Sequence, residues 1–386
     1  MGLLLAGAVF AGACSSSDSS SSAEGAPVSQ IAGDPSDDGV ASALSDPSDE
    51  SFPAPLIDLA DIRSGGPPPD GIPPIDEPEF AAVDEIDFIE DNEPVLLVEI
   101  EGDTRVYPVQ IMTWHEIVND TVGGVPVTVS YCPLCNSAVT YRREVGDRVL
   151  DFGTSGSLFN SSLIMYDRQT ESLWTHFDGR AVVGALTGTQ LEFIATSTVS
   201  WSDIVDDRPD AMVLTRNTGH ERRYGSNPYE GYDNPDGRPF RFEGATDDRL
   251  LPQTRVVTVV DDGAVAIAHG RLTEERAVAF DFDDRQLVAL LTPGTSSALD
   301  TASIADGRDV GATGVFAPTA DDGTQLTLTP DGDDAFTDAE TGSTWSILGE
   351  AVAGPLQGEQ LEAIPHLDTF WFAAQAFRPD IEVLDT

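Results

Sequence analysis

Residues 165–214 of the chain match residues 336–384, and a sequence that repeats itself over such a length has to fold one unit twice. Trp174 falls opposite Trp345, Gly184 opposite Gly354, Leu186 opposite Leu356 and Gly188 opposite Gly358. The match runs on through Gln190-Leu191-Glu192 against Gln360-Leu361-Glu362, Trp201 against Trp371, and Arg208-Pro209-Asp210 against Arg378-Pro379-Asp380. A shift of about 160 positions extends it upstream, setting Pro133 against Pro293 and Ser137-Ala138 against Ser297-Ala298. The expected fold is α+β, predominantly β, with two tandem copies of one β-rich unit carrying short helices. The first copy spans residues 84–250 and the second, degenerate copy residues 251–386.

The duplication separates architecture from chemistry. A position kept in both copies serves the common fold, because each copy needs it whatever else it does. A position found in one copy only is a candidate for function. By this test the tryptophans, the glycines and the two Arg-Pro-Asp segments are architecture. Cys132 and Cys135 face Thr292 and Thr295, His115 faces Glu275 and His176 faces Ile347, so the second copy lacks this set.

Upstream of the repeats, residues 1–14 form a short apolar run ending in Ala11-Gly12-Ala13-Cys14. The run is too short to span a bilayer as a helix but suits a secretory signal. A cysteine after small residues, followed by Ser15-Ser16-Ser17-Asp18, resembles a lipoprotein signal in which Cys14 is lipidated. The expectation is a protein outside the cytoplasm, anchored to the cell membrane through lipid on Cys14. No Lys or Arg precedes the apolar run, which suggests that translation starts a few residues upstream. Residues 15–83 read as a linker, first Ser- and Asp-rich and disordered, then proline-rich and extended through Pro67-Pro68-Pro69 and Pro73-Pro74.

Charge excludes one class of partner. The formal net charge is −47, all 20 basic residues are Arg, and the acidic surface repels nucleic acid phosphate. The acidity otherwise reads as a solvated surface.

Both remaining cysteines lie in Cys132-Pro133-Leu134-Cys135, a turn after the β-like run 125–131. Before it, runs 95–100 and 104–109 suggest a hairpin, and residues 110–118 have the apolar spacing of a short helix carrying His115. Residues 138–142 and 148–152 suggest another hairpin, followed by a tight glycine turn, Gly153-Thr154-Ser155-Gly156. Closing a four-residue loop by a disulfide stabilises by only roughly 2 kcal/mol, so stability is a poor reason for this spacing.

A redox pair needs a thiolate stabilised by a helix terminus or a cation, and Arg142 and Arg143 lie close in sequence. In this reading Cys132, which leads the turn, attacks, with Cys135 and His115 completing the catalytic set and no cofactor required. The same sulfurs suit Zn or Cu, with His115 and His176 as further ligands and Met112, one turn before His115, as a soft third choice. An inert disulfide in a binding or scaffold module is the third reading. A zincin motif is excluded because position 119 is Asn. The aromatic, basic stretch 218–232 has no counterpart in the second copy; it could cover the thiols or bind an anion through Arg222 and Arg223.

Together these residues resemble the DUF3179 family of uncharacterised exported or membrane-associated prokaryotic proteins. The resemblance rests on Trp114-His115-Glu116-Ile117-Val118-Asn119-Asp120, Tyr131-Cys132-Pro133-Leu134-Cys135-Asn136-Ser137, Phe152-Gly153-Thr154-Ser155-Gly156, the run from Met165 to Trp174, and Tyr224-Gly225 with Asn227-Pro228-Tyr229. It spans roughly residues 90–386. It implies that the first two segments belong to one site and leaves the reaction open.

Overall fold

Val95-Leu96-Leu97-Val98 is apolar on both faces and wholly buried, which places the hairpin Pro94–Ile100 and Asp103–Pro108 inside the protein. Because successive side chains alternate, Val95 and Leu97 enter one core with Trp201, Phe316, Phe336 and Trp345, while Leu96 and Val98 enter another with Tyr107, Met112, Val129 and Tyr131. The computed structural model describes residues 41–384 apart from Thr246; Cys14 and the rest of the signal and serine-rich segment up to residue 40 lie outside the described residues. The described chain is predominantly β, with four α-helices of seven residues each. None is long and apolar enough to cross a membrane.

The same order of elements occurs twice. Strands Pro94–Ile100 and Asp103–Pro108, helix Val109–His115, and strands Ile117–Val122 and Val125–Cys132 are followed later by Arg255–Val260, Ala264–Ala268, helix His269–Glu275, Ala277–Phe282 and Arg285–Thr292. In each set a later strand, Ser197–Ser200 or Leu367–Phe370, pairs antiparallel with the first strand. A last strand, Met212–Leu214 or Glu382–Val383, pairs parallel with the second. Thr198 pairs with Thr313, which joins strands of both sets into one nine-stranded sheet.

The matched residues do the same work in each set. Trp174 Nε1 donates to Asp167 at 2.9 Å and Trp345 Nε1 to Asp338 at 3.0 Å. Ser172 and Ser343 accept from the amides of Leu186 and Leu356, both at 3.0 Å. Gly184 and Gly354 have φ of 110° and 96°, and a Cβ there would stand 2.8 Å from Ser172 Cα and 2.6 Å from Ser343 Cα. Gly184→Ala and Gly354→Ala are therefore each expected to cost about 1–3 kcal/mol, read as matching drops in urea midpoint.

Three local expectations change. The helix stops at His115, because Glu116 takes a left-handed conformation (φ 60°) and the β-branched residues Ile117 and Val118 start a strand. Arg276 has the same conformation (φ 62°) after the second helix. Gly153-Thr154-Ser155-Gly156 lies inside strand Phe152–Phe159, at a bulge between Thr154 and Ser157, rather than forming a turn. Its glycines leave room for the proline-rich segment: a Cβ on Gly153 would meet Asp70 and Tyr166, and one on Gly156 would meet the Pro67 carbonyl.

That segment therefore lies on the folded body as part of it, ahead of the start expected at residue 84. Asp70 N donates to Thr154 O and Ile75 N to Ile117 O, while Phe80–Ala82 pairs with Met212–Leu214. Ile75 is 3% exposed, so even this sparse apolar content finds a core.

Candidate functional site

Strand Val125–Cys132 and strand Ser137–Arg142 form a hairpin whose turn is Pro133 to Asn136, with Cys132 paired to Ser137. Asn136 closes the turn in the left-handed region (φ 51°), which asparagine tolerates, and its Oδ1 accepts the Tyr131 hydroxyl at 3.1 Å. Both cysteines are buried and neither forms a disulfide among the described residues. The Cys135 carbonyl accepts from Phe370 N and Thr369 Oγ1, each at 2.9 Å, so an element of the second half holds the turn.

The two sulfurs have different surroundings. Cys135 Sγ lies 2.9 Å from Ser137 Oγ and 3.4 Å from Ser162 Oγ. Burial alone would raise its pKa, but hydrogen bonds from Cys132 and these two serines outweigh burial and hold the thiol below its ordinary value. Cys132 Sγ accepts only the Leu163 amide, at 3.4 Å, and burial together with the neighbouring Cys135 pushes its thiol well up. The sulfur supplied with side-chain hydroxyls is thus Cys135, not the cysteine that leads the turn.

His176 completes the group. Its position is fixed by its amide, which donates to Leu163 O at 3.1 Å, and by its carbonyl, which accepts the Tyr141 hydroxyl at 2.8 Å. One donor atom each from Cys132, Cys135 and His176 lies within 4.8 Å of the others. The imidazole is fully buried and neither ring nitrogen has a hydrogen-bond partner among the described residues. Burial lowers its pKa; the Cys132 sulfur and the Ser130 carbonyl oppose this, though that carbonyl does not reach hydrogen-bond geometry. Among the described residues, these three side chains are grouped closely enough to hold a metal ion.

The other candidates lie elsewhere. His115 Nδ1 is 2.7 Å from Pro73 O and Nε2 is 2.7 Å from the Tyr224 hydroxyl, so both nitrogens are already engaged, and His115 is outside the three-residue group. Burial pushes its pKa down to about 4. Met112 packs in the core beside Ile111. Arg142 pairs with Glu144 and Glu192, and Arg143 with Asp151, so their charges are spent on carboxylates. Arg222 and Arg223 are exposed.

One feature went unread in the sequence. Glu116, 6% exposed, is a buried carboxyl whose pKa is driven up by burial and by the Cys132 sulfur, with the Tyr229 hydroxyl opposing. Its signal was its place beside His115 in the same segment. The long connection from Leu214 to Arg255 forms a strap with no strand or helix of its own among the described residues. Tyr229 on the strap faces Glu116, and Tyr232 lies within electrostatic reach of both sulfurs. The strap is tied to the second half through Asn227 Nδ2 to Thr301 O, Gly231 N to Asp300 O, and Asp233 to Arg255 and Arg308.

Fold and site together define a class: a β-rich protein of two similarly ordered halves, one of which buries a cysteine–cysteine–histidine centre that the other lacks. Within that class, residues 69–381 match the model of DUF3179, described as a protein family of unknown function, and the chain belongs to this family. No curated protein and no solved structure matches it.

Proposed function

We propose that this is a dithiol redox protein of the cell exterior in which Cys132 and Cys135 cycle between two thiols and one disulfide. The observation that carries this reading is the unequal provision for two facing, unbonded sulfurs: two serine hydroxyls reach Cys135 and none reaches Cys132. In the oxidising direction for this protein, Cys135 thiolate attacks one sulfur of a partner disulfide and displaces the other as a thiolate. Cys132 then gives its proton to a neighbouring base and attacks Cys135 Sγ, forming the internal disulfide and releasing the second partner thiolate. Two electrons pass to the partner. His176, with no competing hydrogen bond, is the base nearest to hand.

Lipidation of Cys14 would hold the site at the membrane surface on a tether, a reading supported by the N-terminal sequence alone. Exposed Arg222 and Arg223 on the strap suit an anionic group on the redox partner. No cofactor is needed for the exchange.

The test is thiol counting by mass spectrometry after equilibration of the full chain in a series of glutathione redox buffers. One two-electron transition, abolished in both Cys132→Ser and Cys135→Ser, is expected. A pair that stays reduced in every buffer, or a disulfide that dithiothreitol leaves intact in the folded protein, overturns the reading. Under native conditions at neutral pH, Cys135 should also alkylate at least about tenfold faster than Cys132 when each is the sole cysteine of the pair, since the thiolate is the reactive form.

A further inference from the structure

His176 is a buried polar residue whose presence the fold does not require. The corresponding place in the second half holds Ile347, equally buried, so a plain hydrocarbon packs there. In the first half the same place holds an imidazole with neither nitrogen hydrogen-bonded among the described residues, an arrangement that destabilises a fold unless something else satisfies it. Its donor atom faces two sulfurs within 4.8 Å. The second half replaces all three donors together, with Thr292, Thr295 and Ile347 in place of Cys132, Cys135 and His176.

We propose that, when reduced, Cys132 Sγ, Cys135 Sγ and one ring nitrogen of His176 bind a single soft d10 metal ion, with Cu+ preferred to Zn2+. Two thiolates and an imidazole are the donor types such ions select, and the group offers three donors where a closed zinc site uses four. Binding would satisfy the unpaired imidazole and replace the thiol protons, so the ion and the internal disulfide exclude each other. The inference needs the reduced pair invoked by the redox reading but not the exchange reaction itself.

The experiment titrates the reduced, folded chain anaerobically with Cu+ against a chromophoric Cu+ chelator, and separately with Zn2+ against a zinc chelator. Stoichiometry is measured by elemental analysis after desalting. One Cu+ per chain is expected, with ultraviolet thiolate-to-copper absorption. His176→Ile, which copies the second half and keeps the fold, should weaken binding at least about 100-fold, and Cys132→Ser should weaken it likewise. His115→Gln should leave it unchanged. Failure to bind either ion near one equivalent, or His176→Ile binding as tightly as the parent, overturns the metal site while the glutathione titration still reports on the dithiol couple. Conversely, one bound ion in a chain whose thiols never form the disulfide upholds the site and removes the redox reading.

Discussion

Replacing Asp233 by asparagine should both destabilise the protein and open the site. Asp233, 3% exposed, accepts Arg255 Nε at 2.9 Å, Arg255 Nη2 at 2.8 Å and Ser297 Oγ at 2.5 Å, and also pairs with Arg308. Burial would raise its pKa, but Arg255 foremost, with Ser297 and Arg308, holds it down to about 2. Removing the carboxylate takes the salt-bridge partner from Arg255, whose side chain is 11% exposed, a change that costs about 3–5 kcal/mol when a buried pair is broken from one side. Asp233 also ties down the strap one residue after Tyr232. Thermal unfolding should therefore occur well below that of the parent. At temperatures where the variant is still folded, Cys132 and Cys135 should alkylate at least about tenfold faster, because strap opening becomes cheaper. A lower melting temperature with unchanged alkylation would show that the strap is not what shields the sulfurs.

The second large effect is on pH dependence. Glu93 is 4% exposed, and its carboxyl is raised to about 7, first by burial, with the Gln110 hydrogen bond and Arg216 opposing. A carboxyl whose folded pKa lies above its unfolded value stabilises the fold fully below about pH 4.5 and loses that contribution as pH rises through 7. The loss is on the order of 3 kcal/mol, from a pKa difference of about 2.5 at 1.36 kcal/mol each. Glu93→Gln keeps an acceptor for Gln110 Nε2 and removes the titration. Its urea midpoint should exceed the parent's at pH 8 and coincide with it at pH 4. An unchanged difference across that range would sink the assignment.

His115 acts with the opposite sign. Its depressed pKa of about 4 gives stability that is complete above about pH 6.5 and lost as pH falls towards 4. Between these limits the two groups oppose each other, so removing the Glu93 titration should make stability rise more steeply with pH in Glu93→Gln than in the parent.

How much of this was legible depended on the distance over which each feature is encoded. Trp174 and Trp345 could be matched by eye, and each bonds an aspartate seven residues earlier, within the same local turn. The hairpin around Cys132 and Cys135 was equally local. The comparison of copies misled for Ser137, however. Because Ser297 matches it, the serine read as architecture, yet Ser137 Oγ meets the Cys135 sulfur whereas Ser297 Oγ meets Asp233. A shared residue type had been put to two uses. His115 erred the other way: present in one copy only, it ties helix Val109–His115 to the proline-rich segment and the strap rather than to the sulfurs.

By itself, the sequence determined that one half carries a thiol pair the other lacks, and that short strands and glycine turns build both halves, since spacing of a few residues settles such matters. Only the tertiary structure placed His176 rather than His115 beside the sulfurs and set two serine hydroxyls against Cys135 rather than Cys132. It did so through strand Ser162–Asp167, which brings the Leu163 backbone against both Cys132 and His176 and the Ser162 hydroxyl against Cys135. Sheet register of that kind is set by pairing between distant segments, and no local spacing records which side chains it will bring together.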